Sequence, residues 1–113
     1  MKIVISNNVK FAIDDIFDYS AQISIKYAIS TLNNLYKTII HIQEAPYIGR
    51  YVAELSNKHF RERLYKQFRI IYYISDVNQT IYIQYIFSNK KNPSLFFKVH
   101  KNEISRFLKQ FPT

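Results

Sequence analysis

Basic and aromatic residues are interleaved in the middle of this 113-residue chain. Four arginines, one lysine and three tyrosines form the set: Arg50, Arg61, Arg63, Tyr65, Lys66, Arg69, Tyr72 and Tyr73. Guanidinium groups grip phosphate through paired hydrogen bonds, and tyrosine rings stack on bases. Arginine and lysine also stabilise the charge that develops on phosphorus during metal-free RNA cleavage. The set predicts an anion-binding surface; catalysis, or a solvated strand paired with nearby acids, are the alternatives.

Composition argues against most other kinds of site. The chain has no cysteine, which excludes a thiolate nucleophile, disulfides and cysteine-based metal sites. Its single glycine excludes a glycine-rich phosphate loop. Each histidine has a single carboxylate at ligand spacing (Glu44, Glu62 and Glu103) and no second histidine there, and such a lone pair occurs often by chance, so we predict no metal site and no cofactor. Glu54 and Glu62 are interpreted as partners of nearby arginines rather than as a glycosidase pair.

Charge is distributed unevenly along the chain. Residues 1–44 contain four lysines and four acidic residues, which sum to zero. Residues 45–113 contain five arginines and seven lysines against four acidic residues, which gives the whole excess of +8. This division indicates a neutral scaffold that carries an anion-facing surface. The sequence shows neither a membrane-spanning stretch of ~18–20 apolar residues nor a signal peptide, so we expect a cytoplasmic protein without membrane contact.

The first 44 residues carry the apolar periodicity of two helices. A β-branched run at 2–5 predicts a short strand, and the polar residues 6–8 predict a helix start. Apolar residues then recur at helical spacing in two stripes, ended by Pro46 and Gly49, so we expect a helical hairpin. The stripes are Val9, Ala12, Ile13, Ile16 and Phe17, and then Ile25, Ala28, Ile29, Leu32, Leu35, Tyr36, Ile39 and Ile42.

The remainder of the chain has mostly strand character. Strands are predicted at 51–55, 60–67, 68–74 and 80–87, the last two buried between layers. Asn92-Pro93 then predicts the start of a C-terminal helix, whose continuity at Asn102 stays open. Its apolar face would comprise Phe97, Ile104, Phe107, Leu108 and Phe111.

The order of these elements predicts an α+β fold. A short N-terminal strand and a helical hairpin would pack on an antiparallel sheet of three to five strands, with the helices against one face and a C-terminal helix at the end. We expect one domain over 1–113, with a core over 1–91 and a C-terminal helical segment over 92–113.

Three short motifs resemble the RelE/ParE superfamily of bacterial toxins. In chain order they are Pro46-Tyr-Ile-Gly-Arg50, then Arg61-Glu62, then Tyr65-Lys-Gln-Phe-Arg69-Ile-Ile-Tyr72-Tyr-Ile74. The strand at 81–87 with its exit Ser-Asn-Lys-Lys91 is similar to the family's last core strand and basic exit. The match covers most of residues 1–91, and the long hairpin together with the first motif favours the ParE-like branch.

The resemblance implies a toxin of a type II toxin–antitoxin system, held inactive by an acidic cognate antitoxin. It implies inhibition of DNA gyrase; the alternatives are ribosome-dependent, metal-independent mRNA cleavage and a non-toxic RNA-binding or interaction module. For a nuclease, the resemblance implies that Arg69, Arg61 and Arg63 are catalytic. Lys90 and Lys91 join the set described above as predicted target-binding residues.

Overall fold

A computed structural model describes residues 1–111 of the chain. No helix within this range is long and apolar enough to cross a membrane. A 3₁₀ turn (Pro46–Ile48) follows the second helix. The helices and strands are β1 (Lys2–Ile5), α1 (Asn7–Ala21), α2 (Ile25–Glu44), β2 (Arg50–Tyr51), β3 (Phe60–Tyr65), β4 (Phe68–Ser75), β5 (Thr80–Ser88), α3 (Pro93–Val99) and α4 (Lys101–Gln110).

The predicted helical hairpin is confirmed, and serine caps begin both of its helices. The Ser6 hydroxyl accepts a hydrogen bond from the backbone N–H of Val9 at 3.2 Å. The Ser24 hydroxyl accepts one from Tyr27 at 3.0 Å. Each bond satisfies a donor that a helix start leaves without an intrahelical partner. Only residues 22–24 separate the two helices, so a linker of three residues suffices to turn the chain.

The sheet has five strands in the order β1-β5-β4-β3-β2. The α+β class is confirmed, and β2 to β5 pair antiparallel as predicted. The expectation of a purely antiparallel sheet was wrong, because β1 pairs parallel with β5. A parallel neighbour needs a crossover connection, and the helical hairpin begins that crossover directly after β1. The predicted strand at 51–55 was wrong beyond its first residue, since β2 consists of Arg50 and Tyr51.

Helices cover both faces of the sheet, so the prediction that they lie against one face was wrong. On one face, the buried apolar residues of α1 and α2 pack against Ile70, Tyr72 and Ile74 of β4. On the other face, Phe97 of α3 and Ile104 of α4 pack against residues of β3, β4 and β5. Residues 70–75 of β4 are all buried, which confirms the prediction of a central strand between layers.

The C-terminal segment forms two helices where one was predicted. The break lies at His100 and not at Asn102, which is inside α4. The His100 ring stacks on Phe96 at 4.1 Å between centroids, and its Nδ1 lies 2.8 Å from the Phe96 carbonyl oxygen. The last two residues of the predicted segment, 112 and 113, lie outside the described residues.

The long apolar stripe of α2 does not form one buried face. Four of its eight members are buried: Ala28, Leu35, Ile39 and Ile42. Three others, Ile25, Ile29 and Tyr36, are 60%, 48% and 43% exposed. With about 100° between successive residues, the eight positions extend further round the helix than the sheet can cover. The stripe thus divides into a core-facing side and an outward-facing side.

The C-terminal helices complete the core of the second sheet face, which gives a first prediction. Replacing the buried ring in Phe97→Ala should lower the free energy of unfolding by about 3–5 kcal/mol, because it leaves a cavity beside Phe87. Leu95→Ala in the same helix is the matched control, since Leu95 is 54% exposed. Urea unfolding followed by circular dichroism measures both. Equal losses would contradict the burial of Phe97.

Candidate functional site

A group of two arginines and two glutamates, the arginine–glutamate cluster, lies on the sheet face that carries α3 and α4. It comprises Arg50, Glu54, Glu62 and Arg69. The strand register brings three of its members together, and Glu54 follows β2 in the chain. Arg69 pairs with Leu64, which places Glu62 diagonally next to it on the same face, and Arg50 of β2 pairs directly with Glu62.

Hydrogen bonds of the cluster occupy all three nitrogens of the Arg69 guanidinium. Nη1 and Nη2 donate to the two Glu54 carboxylate oxygens at 2.7 and 2.8 Å. Nε donates to Glu62 Oε1 at 3.0 Å, and Nη2 donates to the same oxygen. The other oxygen of Glu62 accepts from Arg50 Nε at 2.5 Å. Every carboxylate oxygen in the cluster therefore has an arginine donor, which confirms the interpretation of both glutamates as arginine partners.

The centre of the cluster is shielded from solvent. Arg69 is 4% exposed and Glu62 is 2% exposed. The Arg69 guanidinium carbon lies 5.2 Å from the ring centroid of Phe87 and 5.5 Å from that of Phe97. A buried charge is tolerated when it is paired and hydrogen-bonded, and removing one partner leaves the other uncompensated. The α3 helix thus closes the cluster as well as the apolar core.

The ionisation of Glu54 makes the contribution of the cluster to stability depend on pH. Its hydrogen bonds to the Arg69 guanidinium hold the pKa of the Glu54 carboxyl below its ordinary value of 4.5. The same bonds raise the pKa of Arg69, against the opposing effect of burial. A carboxyl whose folded-state pKa is lowered stabilises the fold above the unfolded-state pKa. That contribution is lost as the pH falls through the lowered folded-state value.

A second internal network joins the first sequence motif to β3 and β4. The Tyr72 hydroxyl donates to the Pro46 carbonyl at 2.6 Å, and burial raises its pKa. Gly49 lies directly against this hydroxyl, since a Cβ built on Gly49 would be 2.0 Å from Tyr72 Oη. The Gly49 φ of −59° is ordinary, so glycine is needed here for space and not for backbone conformation.

Arg61 fastens the same segment from the neighbouring strand. Its Nη1 donates to the carbonyl oxygens of Tyr47 and Gly49 at 2.8 and 2.9 Å. Its guanidinium carbon lies 4.3 Å from the ring centroid of Tyr51 and 5.6 Å from that of Tyr47. The half-exposed Arg61 side chain is thereby committed to holding the turn between α2 and β2.

The three motifs that resemble the toxin superfamily are therefore largely an internal framework. Arg69, Tyr72 and Tyr73 of the predicted target-binding set lie in the core, with Tyr72 at 0% and Tyr73 at 1% exposure. Tyr73 donates to the Phe111 carbonyl and packs edge-on against Phe60 and Phe107. A target could touch these side chains only after the core had opened, so their predicted contact with a target remains a prediction that this geometry does not favour.

The other predicted cations lie at the surface. Arg50 keeps 60% of its side chain exposed while it pairs with Glu62. Lys66 occupies the turn between β3 and β4 with a φ of 51°, and its ammonium lies 5.1 Å from the Tyr27 ring centroid and 5.6 Å from that of Tyr65. Tyr65 is half-buried and accepts a hydrogen bond from Asn34 at 3.3 Å.

By strand register, four of these cations lie toward the same end of the sheet, which we call the basic end: Arg63, Lys66, Lys90 and Lys91. The β3–β4 turn and the exit of β5 adjoin there, because the Asn89 N–H donates to the Gln67 carbonyl at 2.6 Å. Lys66, Lys90 and Lys91 are exposed and Arg63 is half-exposed. Within residues 1–111, none of the four takes part in a salt bridge. The basic end is thus a cationic surface with charge available to a partner.

A cleft of about 660 Å³ opens beside the basic end, between α1 and the ends of β4 and β5. Lys90 and Lys91 line it together with Asp15 of α1. The apolar lining includes Ile16, Phe68, Ile86, Phe87 and Phe96. Sequence reasoning missed this cleft because its lining comes from separate elements. The lysine pair after β5 was the one signal that pointed to it.

The close contact between Gly49 and Tyr72 gives a second prediction. Gly49→Ala should destabilise the fold by about 1–3 kcal/mol, because the new methyl group overlaps the Tyr72 hydroxyl. Adding Tyr72→Phe removes that oxygen, so the double variant should lose less stability than the sum of the two single variants. Adding Tyr65→Phe to Gly49→Ala is the control and should give additive losses. Additivity in both cycles, measured by urea unfolding, would contradict the contact.

The burial of Arg69 gives a third prediction. Arg69→Leu should cost about 3–5 kcal/mol of stability, because it leaves the Glu62 carboxylate buried with Arg50 as its remaining partner. Arg63→Leu makes the same chemical change at a half-exposed position of β3. Its free energy of unfolding should stay within about 0.5 kcal/mol of that of the parent. Thermal and urea unfolding measure both. Equal stability of the two variants would show that the cluster does not support the fold.

Comparisons with known proteins concern the family and the fold of the chain. The model of the family described as the ParE toxin of the type II toxin–antitoxin system parDE matches residues 3–93. A solved structure titled "Chromosomal ParDE TA system from P. aeruginosa" has a similar fold, with a TM-score of 0.65, 14% identity, and coverage of 78% of this chain and 95% of that one. No curated protein matches the chain. Because the family model matches most of this chain, and the shared motifs form the framework of its fold, the chain belongs to the ParE toxin family of type II toxin–antitoxin systems.

Proposed function

We propose that this toxin inhibits DNA gyrase and that its basic end and the adjoining cleft form the contact surface for an acidic antitoxin. The observation that carries the proposal is the placement of four cations, none of them in a salt bridge with another described residue, toward one end of the sheet beside a cleft with apolar lining. The solved ParDE system, which has a similar fold, supports an antitoxin as partner.

The chemistry of the surface indicates what kind of antitoxin segment it accepts. An acidic segment would be attracted to the four cations, which raises the association rate and selects against basic competitors. Apolar anchors of that segment would fill the cleft beside Phe68 and Phe96. Such a segment can be disordered alone and fold as it binds. Occupation of the basic end then withdraws it from the toxin's target.

The position of Arg69 supports gyrase inhibition over mRNA cleavage. By the family resemblance, a nuclease would use this arginine in catalysis. Here Glu54 and Glu62 engage all three of its guanidinium nitrogens, and Phe97 shields it. A catalytic cation has to reach the charge that develops on the substrate. Inhibition of gyrase through protein contacts has no such requirement.

The proposal gives a fourth prediction. The purified toxin should inhibit supercoiling of relaxed plasmid by gyrase, and the Lys90→Glu/Lys91→Glu variant should need at least tenfold more protein for the same inhibition. The matched control, Lys98→Glu/Lys109→Glu, makes the same charge change on exposed residues of α3 and α4 and should stay within about twofold. Circular dichroism melts verify that both variants fold.

A translation reaction programmed with finished mRNA provides the opposing test. We expect no arrest, and no new mRNA ends when the products are mapped. Arrest with new ends, together with unaffected gyrase, would overturn the proposed target in favour of ribosome-dependent cleavage. A folded protein that leaves both reactions unaffected would instead support a non-toxic RNA-binding or interaction module.

A further inference from the structure

A second cavity, which we call the C-terminal cavity, lies between the segment after β2 and the helices α3 and α4. Its volume is about 570 Å³, within the range of about 300–1,000 Å³ that is usual for ligand pockets. Five of its eight lining residues come after residue 93, where the match to the family model ends, so the family resemblance assigns this cavity no role. The lining comprises Glu54, Leu55, Ser56, Ser94, Phe97, Lys98, Lys101 and Ile104.

The inner wall of the C-terminal cavity is apolar. Phe97 and Ile104 are each 7% exposed, and Leu55 is half-buried. The Phe97 ring packs edge-on against Phe87 and Phe96, with centroids 5.7 and 5.4 Å apart, so its position is fixed by the core. A wall of fixed aromatic and aliphatic side chains can accept the apolar body of a ligand, because binding removes that body from water.

Four polar side chains line the same cavity: Ser56, Ser94, Lys98 and Lys101. All four residues are exposed. Within residues 1–111, none of these side chains forms a hydrogen bond or a salt bridge with another residue. Two ammonium groups and two hydroxyls therefore have donors available to a ligand. An apolar wall with a few such polar groups is the usual composition of a small-molecule site.

The charge of the lining selects an anion. Glu54 is the acidic residue of the lining, and both of its carboxylate oxygens accept hydrogen bonds from Arg69, at 2.7 and 2.8 Å. This pairing leaves the charges of Lys98 and Lys101 uncompensated, so the cavity attracts anions and repels cations. The apolar wall adds a second requirement, because an anion without an apolar body would leave that wall in contact with water.

We propose that the C-terminal cavity binds a small carboxylic acid with an apolar body. Its carboxylate would accept hydrogen bonds from Lys98 and Lys101, and its body would lie against Phe97, Ile104 and Leu55. This proposal is independent of the toxin's target. For a ligand of about a dozen non-hydrogen atoms, we expect a dissociation constant in about the millimolar range.

Binding in this cavity would also act on the buried arginine. Glu54 and Phe97 line the cavity, and the same two side chains enclose the Arg69 guanidinium. A ligand that contacts both holds α3 against the segment after β2, which are two of the parts that shield the charge. Because such a ligand binds only the folded chain, the unfolding temperature should rise with ligand concentration.

A titration of the ¹⁵N-labelled chain with 3-phenylpropionate tests the site. Backbone amide shifts should change saturably at residues 54–56 and 94–104, around the lining. Two matched probes separate the requirements: 3-phenyl-1-propanol keeps the ring without the charge, and acetate keeps the charge without the ring. Each should bind at least tenfold more weakly. Absence of saturable shifts, equal binding of the three probes, or shifts confined to the cleft beside Lys90 and Lys91 would overturn the proposal.

Substitution of the two lysines tests their role. Lys98→Gln/Lys101→Gln should weaken 3-phenylpropionate binding at least tenfold. The control Lys26→Gln/Lys37→Gln removes the same charge from exposed residues of α2 and should stay within about twofold. At ten times the dissociation constant for the parent, 3-phenylpropionate should raise the unfolding temperature of the parent and the control, and raise that of the Lys98/Lys101 variant less. Equal weakening in both variants would indicate a general attraction of anions to a basic chain, and it would contradict a site.

Discussion

The fold depends on enclosing one guanidinium group, that of Arg69, between two carboxylates and two aromatic rings. Burying a charge is tolerated only when its partners are in place. Four separate parts of the chain supply them: β3 provides Glu62, the segment after β2 provides Glu54, β5 provides Phe87, and α3 provides Phe97. The strand register, the path of the chain after β2 and the docking of the C-terminal helices are thereby coupled to a single side chain.

The buried framework of the toxin is separate from its proposed contact surface. Residues of the family motifs, such as Gly49, Arg61 and Tyr72, hold the 3₁₀ turn against the sheet through hydrogen bonds and close packing. The cations available to a partner lie outside this framework, at the end of the sheet where turns meet. Such an arrangement lets contact residues change without a loss of the core, because loop substitutions leave the buried network intact.

The proposed role of the basic end rests on long-range charge. An acidic partner would be attracted over a distance set by the Debye length, and its affinity would fall as the salt concentration rises.

Local patterns in the sequence determined the two helices of the hairpin and the central strands β4 and β5, because apolar periodicity depends on near neighbours. They also determined the serine and Asn92 caps. The order of the motifs indicated the family. Tertiary structure alone decided the parallel pairing of β1, the covering of both sheet faces and the outward turn of Ile29. It also decided that Arg69 is buried. A charged residue in a strand indicates a surface position, and its burial became favourable only because Glu54 and Glu62, 15 and 7 positions away in sequence, converge on it in space.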